Sequence, residues 1–228
     1  SKKEVQHKSY EERPYLFVEP ETRNKPGKGS VLFAISGGGS STSNAFSITT
    51  TYPGGDYTAS PDIVEKKTEY VHSMPVTLSA TFRWNFNRRW AVNTGLRYTY
   101  LSTRIYEKTI KNSFGIGDMN RKQQIHYIGI PLNASYSLWC SPKWNAYVSA
   151  GAVMEFPVAA SIDGVKMNAP FMWAAEAGLG MQYDITDHLG IYVDCNIQHF
   201  FNTGSEIRNA WTDRPLGVSI PIGIRYTW

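Results

Sequence analysis

The sequence contains no run of about 18 apolar residues, the length that a membrane-spanning helix requires. This absence excludes a helical membrane protein, although 42% of the residues are hydrophobic and 14% are aromatic. Charged residues are scarce as well, at 18% of the chain, against roughly 25% in soluble domains. The composition therefore fits neither a helical membrane protein nor an ordinary soluble domain.

Basic runs are also missing. The formal net charge is +4, and the lysine and arginine residues are scattered along the chain. Proteins that bind nucleic acid neutralise phosphates with clustered basic side chains, so we expect no nucleic-acid partner. Cysteine and histidine at zinc-binding spacings and acidic calcium-binding loops are missing too. The sequence therefore predicts no metal and no cofactor.

Cysteine is rare, because Cys140 and Cys195 are the only two. A disulfide between them would suit an oxidising compartment. Cys195 falls inside a predicted strand, however, and Cys140 lies at a turn on another. Free cysteines of this kind act as small hydrophobic residues. We therefore expect two free thiols rather than a bond.

Residues 1–28 differ in composition from the rest of the chain. They are crowded with charged residues and contain three prolines. Such a stretch cannot bury enough apolar surface to order itself. We predict a periplasmic linker or tether over residues 1–28 and one β-barrel domain over residues 29–228.

From Val31 onward, apolar residues recur at every second position, which is the period of a β-strand. Residues 73–86 show it best, because one face is apolar and the other is polar. The apolar face consists of Met74, Val76, Leu78, Ala80, Phe82, Trp84 and Phe86. Similar segments cover residues 90–100, 128–138, 144–154, 171–183, 191–199 and 217–228, with a weaker first strand over 31–37. The count is eight strands.

The connections between these strands alternate in length. Tight turns at residues 87–89, 141–143 and 186–188 alternate with predicted long loops at 48–68, 103–122, 158–169 and 201–214. Outer-membrane barrels have short periplasmic turns and longer extracellular loops. An even number of strands then places both termini in the periplasm of a bacterial outer membrane.

The bulk of the two strand faces decides which one points inward. An eight-stranded barrel has an interior only just wide enough for its own side chains. The apolar face is bulky here and the other face is rich in small and polar residues, whereas a lipocalin-like soluble barrel needs the inverse. Aromatic residues also gather beside the tight turns, as in a membrane-interface girdle. We predict an all-β, eight-stranded, antiparallel up-and-down transmembrane β-barrel.

Strand parity places ionisable residues on the inward face. They are Arg83, Arg97, Glu155, Glu176, Asp194 and Arg225, with Tyr192, Asn196 and Gln198 among them. Unpaired charges in a narrow lumen are costly, so we predict a charge network that closes the barrel. The alternative is a hydrated pore, for which the inward glycines would leave space. Those glycines are Gly95, Gly129, Gly151, Gly178, Gly180 and Gly223.

Proline recurs in the strands that follow long loops, at Pro75, Pro131, Pro170 and Pro221. Proline cannot donate a hydrogen bond to the ladder, and a closed barrel offers no free edge. We therefore expect β-bulges at these positions.

Basic side chains gather near the predicted outer rim, where they are suited to pairing with lipopolysaccharide phosphates. They are Arg104, Lys108, Lys111, Arg121, Lys122, Arg208 and Arg214. A merely solvated rim explains them equally well. His72, His126 and His199 also lie near the outer strand ends, with His126 and His199 on the lipid face by parity. No Ser, His and acid spacing indicates an enzyme. A His, Ser and carboxylate within hydrogen-bonding reach at this rim would indicate one.

Several segments resemble the outer-membrane protein β-barrel domain family that is common in Bacteroidetes. They are residues 94–101, 126–133, 147–151 and 223–228, and the resemblance covers nearly all of the chain after residue 30. It implies an outer-membrane location, outer-membrane lipid as a partner, and a porin-like or unknown role. The C-terminal residues Ile222, Ile224, Tyr226 and Trp228 resemble the signal by which the barrel-assembly machinery accepts its clients.

From these features we predict a monomeric outer-membrane barrel, not an enzyme, with a structural or anchoring role or a porin-like one. Two alternatives remain open from the sequence. The first is a narrow pore or a surface receptor for lipopolysaccharide or a small ligand. The second, which is less favoured, is a lipid-modifying enzyme.

Overall fold

The computed structural model describes residues 29–39, 44–51, 63–111, 116–201, 209–213 and 215–228. The predicted linker over residues 1–28 lies outside them. The strands are β1 (Gly29–Gly38), β2 (Asn44–Thr51), β3 (Ile63–His72), β4 (Val76–Asn85), β5 (Trp90–Lys111), β6 (Ile116–Cys140), β7 (Trp144–Ile162), β8 (Val165–Lys166), β9 (Met172–Asp184), β10 (Leu189–Phe201) and β11 (Leu216–Thr227). One short helix, α1, covers Ala210–Asp213. In the described ranges no helix has the length and apolar character needed to cross a membrane.

Eight of these strands close into a barrel. In order around it they are β1, β4, β5, β6, β7, β9, β10 and β11, each antiparallel to the next. The last strand pairs with the first, with Ser30 opposite Thr227. The predicted eight-stranded antiparallel barrel is therefore confirmed.

The two ends of the barrel differ. At one end, which we call the short-turn end, residues 86–89, 141–143 and 185–188 connect neighbouring strands. Gly29 and Trp228 lie at the same end, where the Trp228 N–H donates to the Gly29 carbonyl at 3.4 Å. We call the opposite end the long-strand end.

At the long-strand end the structure corrects the predicted loops. β5 and β6 have 22 and 25 residues and stay paired as far as Ile110 opposite Ile116. A tilted strand needs only about 9–11 residues to cross a membrane. β3 pairs with the far half of β5 and β2 pairs with β3, so a sheet projects from the barrel. Beyond the apolar band the alternation of apolar residues stops, but backbone pairing continues. The loop prediction for residues 103–122 was therefore wrong over most of its length, and the prediction for 48–68 was wrong at residues 48–51 and 63–68, while residues 52–62 lie outside the described part of the chain.

The other two predicted loops also contain regular structure. β7 continues to Ile162 and turns into β8 through Asp163 and Gly164, whose φ angles are 50° and 83°. Two consecutive residues with positive φ are typical of a tight hairpin turn, and an Asp-Gly pair adopts it readily. The segment predicted as a loop over 201–214 contains α1.

The outward face of the barrel wall is apolar and exposed. It includes Phe33, Ile35, Leu78, Phe82, Leu96, Ile130, Leu132, Leu179, Ile222 and Ile224. Trp84, Trp90, Trp144, Tyr226 and Trp228 lie exposed toward the short-turn end. Patches of this size are rare on soluble monomers, and rings that are apolar in body and wet at one end suit a lipid interface. The inward face carries the buried polar residues, so the parity assignment was right.

The bulge prediction was wrong for the four prolines. Pro75 lies between β3 and β4, and Pro170 precedes β9. Register is unchanged across Pro131 and Pro221, although the pairs of each proline and of the residue before it are missing from the β5–β6 and β10–β11 ladders. A missing N–H removes a hydrogen bond without inserting a residue, so no shift follows. In the described ladders, register shifts occur between β6 and β7, at His126/Tyr127 and Ser137/Trp139; the first lies beside Pro157.

Neither cysteine forms a disulfide. Cys140 is half-buried at the end of β6, and Cys195 is exposed on the outward face of β10.

Candidate functional site in the barrel lumen

Arg97 is the centre of one polar group inside the lumen. Its Nε donates to Glu155 Oε1 at 2.6 Å, and its Nη1 donates to Glu176 Oε2 at 3.2 Å. The side chains of Arg97, Glu155 and Glu176 are 10%, 0% and 8% exposed. One guanidinium on β5 therefore holds two carboxylates, from β7 and β9, and all three side chains are nearly buried.

Two amide side chains complete this group. Asn133 Nδ2 donates to Glu176 Oε1 at 3.1 Å, and Gln198 Nε2 donates to Glu176 Oε2 at 2.7 Å. With the Arg97 contact, Glu176 accepts from three side chains on three other strands. Charge-assisted hydrogen bonds of this kind offset much of the cost of burying a carboxylate.

Inward glycines let these side chains reach one another. In the strand register, Gly129 lies between Arg97 and Glu155, Gly151 between Asn133 and Glu176, and Gly180 between Tyr147 and Asp194. A Cβ at Gly129 would lie 2.5 Å from Glu155 Oε2. Asn133 and Leu132 occupy the corresponding space at Gly151, and Asp194 and Tyr147 occupy it at Gly180. Polar side chains thus reach across the glycine at each of these three positions.

A second polar group lies nearer the short-turn end. Tyr147 donates its hydroxyl to Asp194 Oδ1 at 2.6 Å, and the Arg83 guanidinium lies 4.9 Å from the centre of the Tyr147 ring. Arg225 donates through Nη1 to Gln182 Oε1. Arg83 therefore makes a cation–π contact, and Arg225 makes a hydrogen bond to an amide.

The six predicted lumen charges therefore lie in two groups. Arg97, Glu155 and Glu176 are in direct contact. Nearer the short-turn end, Arg83 and Asp194 both contact Tyr147, and Arg225 contacts Gln182. Sequence reasoning missed Asn133, Tyr147 and Gln182. Strand parity was the available signal, because each of them occupies an inward position. Tyr192 and Asn196 are buried in the lumen as predicted from the same parity.

A cavity of about 130 Å³ lies between these groups and the long-strand end. Arg83, Tyr147 and Tyr192 line it toward the short-turn end, and Phe200 and Trp211 line it at the other. Arg97 and Glu176 form part of its wall. The lumen thus holds some space, bounded by charged side chains and by aromatic ones.

Apolar side chains pack inside the lumen at the long-strand end, a feature that the sequence did not predict. The cluster contains Leu101, Ile125, Tyr127, Met172, Ala174, Phe200, Ala210 and Trp211. The Trp211 ring stacks on Phe200 with centroids 4.3 Å apart, and its centroid is 5.0 Å from that of Tyr127. A single tryptophan in a predicted loop gives no periodic signal, which is why this packing was missed.

His72 connects α1 to the base of the projecting sheet. Its Nδ1 lies 3.0 Å from Thr103 Oγ1, and its Nε2 lies 3.1 Å from Asp213 Oδ2. A hydroxyl, an imidazole and a carboxylate in contact are the parts of a nucleophile, base and acid triad. Thr103 is only 2% exposed, however, and neither it nor His72 lines the cavity. The arrangement gives a substrate no access, so it is better explained as a structural contact.

The other two predicted histidines lie on the outward face, as their parity predicts. His126 Nδ1 is 2.6 Å from the Tyr98 hydroxyl, and His199 makes an edge contact with Phe201 at 4.9 Å between centroids. Within the described ranges, no group of three His, Cys, Asp or Glu side chains is arranged to hold a metal ion.

The predicted basic residues at the rim are dispersed. Arg104 and Lys122 are exposed and lie directly opposite each other across the β5–β6 ladder, on the outward face. Arg121 is exposed on the alternate face. The side chains of Lys108 and Lys111, and all of Arg208 and Arg214, lie outside the described part of the chain.

Comparison with known proteins agrees with this geometry. A protein-family model described as the outer membrane protein beta-barrel domain matches residues 29–198. The chain is similar to the outer membrane protein OprG from Pseudomonas aeruginosa, at 12% identity and a TM-score of 0.55, covering 90% of this chain and 97% of that one. It is also similar to the attachment invasion locus protein Ail of Yersinia pestis, at 12% identity, a TM-score of 0.41 and coverage of 90% and 100%. No curated protein matches. The likeness to OprG concerns the fold and confirms a barrel of the outer-membrane type.

Proposed function

The chain belongs to the outer membrane protein β-barrel domain family, and we propose that it is a non-conducting barrel that anchors a projecting sheet at the cell surface. Membership of this family places the barrel in the bacterial outer membrane. The proposal concerns the state of the lumen, the orientation of the barrel and the role of the sheet.

The observation that carries the proposal is the contact of Arg97 with both Glu155 and Glu176 across the lumen. An eight-stranded lumen is narrow before any side chain enters it. A permeating ion would have to separate these buried charges, at a cost of several kcal/mol. The apolar packing around Trp211 adds a second obstruction at the long-strand end.

The orientation follows from the unequal ends. Short turns of outer-membrane barrels face the periplasm, so we place the short-turn end and both ends of the described chain there. The sheet formed by β2, β3 and the far halves of β5 and β6 then lies outside the cell. In this orientation the exposed side chains of Ile222, Ile224, Tyr226 and Trp228 end the last strand at the periplasmic side, where the barrel-assembly machinery would recognise them.

Planar-bilayer recordings on the purified wild-type protein test the closed lumen. We expect no steady conductance above the baseline, because the charge contacts and the apolar cluster occupy the lumen. Steady, large and ion-selective currents would overturn the proposal and assign the protein to the pores. An unrelated open barrel inserted under the same conditions controls for successful incorporation.

Binding of lipopolysaccharide is a second candidate function. The observation that favours it is the Arg104 and Lys122 pair, since like charges directly opposite on a ladder are destabilising unless something neutralises them. Lipopolysaccharide phosphates would neutralise both, and Arg–phosphate contacts can be bidentate. The pair lies on the outward face, beyond the apolar band.

Neutralising this pair should weaken binding of purified lipopolysaccharide at least fivefold. The variant is Arg104→Gln with Lys122→Gln, measured by titration of the detergent-solubilised protein at low and physiological salt. Arg121→Gln is the matched control, because Arg121 is equally exposed but lies on the alternate face. An equal loss of affinity in the control, or no loss in the double variant, would show that the pair is not a specific binding site and that the rim is merely solvated.

A further inference from the structure

α1 lies inside the barrel at the long-strand end and is not part of any strand. Ala210 and Trp211 are 5% and 7% exposed although the helix has only four residues. Their neighbours Leu101, Ile125, Met172 and Phe200 come from the barrel wall. Trp211 also lines the cavity of about 130 Å³ beneath it. Trp211 therefore closes part of the cavity at the long-strand end, where Gly39 and Gly217 also line it.

The wall of the barrel does not depend on α1. In the chain, α1 lies between the end of β10 and the start of β11. The β10–β11 and β9–β10 ladders pair strand residues only and include no residue of α1. Moving α1 would break side-chain packing but no pair of the barrel ladders. The wall can thus stay intact while the helix leaves its place.

Specific polar contacts hold α1 in place. Asn209 caps the helix, accepting through Oδ1 from the Trp211 and Thr212 N–H groups at 2.8 and 3.0 Å. Asn209 Nδ2 donates to Met172 Sδ of the wall strand β9 at 3.8 Å. Asp213 Oδ2 contacts His72 Nε2 at the end of β3, and these two side chains are 3% and 2% exposed. His72 is in turn fixed by Thr103 of β5. Asp213 and His72 therefore form a latch between the helix and the strand junction below the projecting sheet.

We propose that α1 is a removable stopper of the lumen, with Trp211 as its head and the His72–Asp213 contact as its latch. Displacement of the helix opens the internal cavity to small polar solutes from the long-strand end. The inference goes beyond the closed lumen proposed above: the Arg97 contacts join side chains of β5, β7 and β9 and include no residue of α1, so displacement of α1 leaves them in place. Access to the cavity and conduction through the barrel are separate measurements.

Labelling of a cysteine inside the cavity tests the stopper. The background is the full chain with Cys140→Ser and Cys195→Ala, reconstituted in lipid nanodiscs. The reporter is Ser219→Cys, on a residue that lines the cavity from β11. The measured quantity is the rate of reaction with a small, charged thiol reagent.

We expect Trp211→Ala, and independently Asp213→Asn, to accelerate labelling of the reporter at least tenfold. Ser135→Cys is the matched second reporter, because Ser135 is inward and 1% exposed but does not line the cavity. Its rate should not change. His126→Ala, which removes an imidazole from the outward face, should leave both rates unchanged.

Two results would overturn the proposal. The first is an unchanged rate at Ser219→Cys in both variants, which would mean that α1 does not control access. The second is equal acceleration at both reporters, which would mean a general loosening of the barrel. Heat-modifiable migration in gel electrophoresis shows for each variant that the barrel is folded.

Discussion

Replacing Arg97 with glutamine should lower the free energy of unfolding by about 3–5 kcal/mol, the range found when one partner of a buried ion pair is removed. Glu155 and Glu176 are almost fully buried, and Arg97 is the cation that contacts both. Without it, two carboxylates would remain inside the lumen with amide partners for only one of them. The measurement is reversible urea unfolding in lipid vesicles.

A compensated variant separates charge from packing. Adding Glu155→Gln and Glu176→Gln to Arg97→Gln removes the unpaired carboxylates and should recover most of the lost stability. Arg121→Gln, at an exposed position, is the control and should have no measurable effect. If Arg97→Gln alone costs less than about 1 kcal/mol, the value of an ordinary surface pair, then the lumen is hydrated and the contact is weak.

Replacing Gly129 with valine should cost about 3 kcal/mol, the upper end of the range for overpacking a filled interior. The new Cβ would lie 2.5 and 2.7 Å from Oε2 and Cδ of Glu155, so the carboxylate would have to leave Arg97. Valine favours strands, and its backbone preference therefore opposes the loss rather than causing it.

Gly217→Val is the matched control for this substitution. Gly217 is also in a barrel strand, but a Cβ there would meet nothing within 4 Å. Unfolding of both variants in urea should show the loss only for Gly129→Val. Equal stability of the two would show that the glycines of the lumen merely leave space, as the pore interpretation required.

The alternation of apolar residues predicted most of the barrel. A residue such as Leu78 or Ile222 must alternate with small or polar neighbours when one face meets lipid and the other a narrow lumen, so periodicity gave both the strand count and the inward set. The same logic failed at the long-strand end. Beyond the apolar band neither face has to be apolar, and backbone pairing in β5 and β6 leaves no trace in the hydrophobic pattern.

The partners inside the lumen needed register as well as parity. Parity placed Arg97, Glu155 and Glu176 on the inward face, but it did not show which of them face each other. That depends on which residues are opposite across each ladder, and Gly129 lies between Arg97 and Glu155 only because of the β5–β6 and β6–β7 registers. The contact of His72 with Asp213 was out of reach for the same reason, since 141 positions separate the two residues.

The closure of β1 on β11 has a consequence for the order in which the barrel forms. Ser30 and Thr227, which bond through their hydroxyls, are 197 positions apart. The connections between the other neighbouring barrel strands are much shorter, from the three residues 141–143 to the 37 residues between β1 and β4. Joining such distant segments directly from the unfolded chain costs about 3 kcal/mol more entropy than closing a tight hairpin. The β1–β11 ladder therefore forms after the hairpins have brought these two strands together. Pulsed hydrogen exchange during folding should find that the β1 amides become protected last. Until that ladder forms, β1 and β11 are edge strands with unpaired N–H and C=O groups. During this interval the chain can most easily pair with another copy of itself.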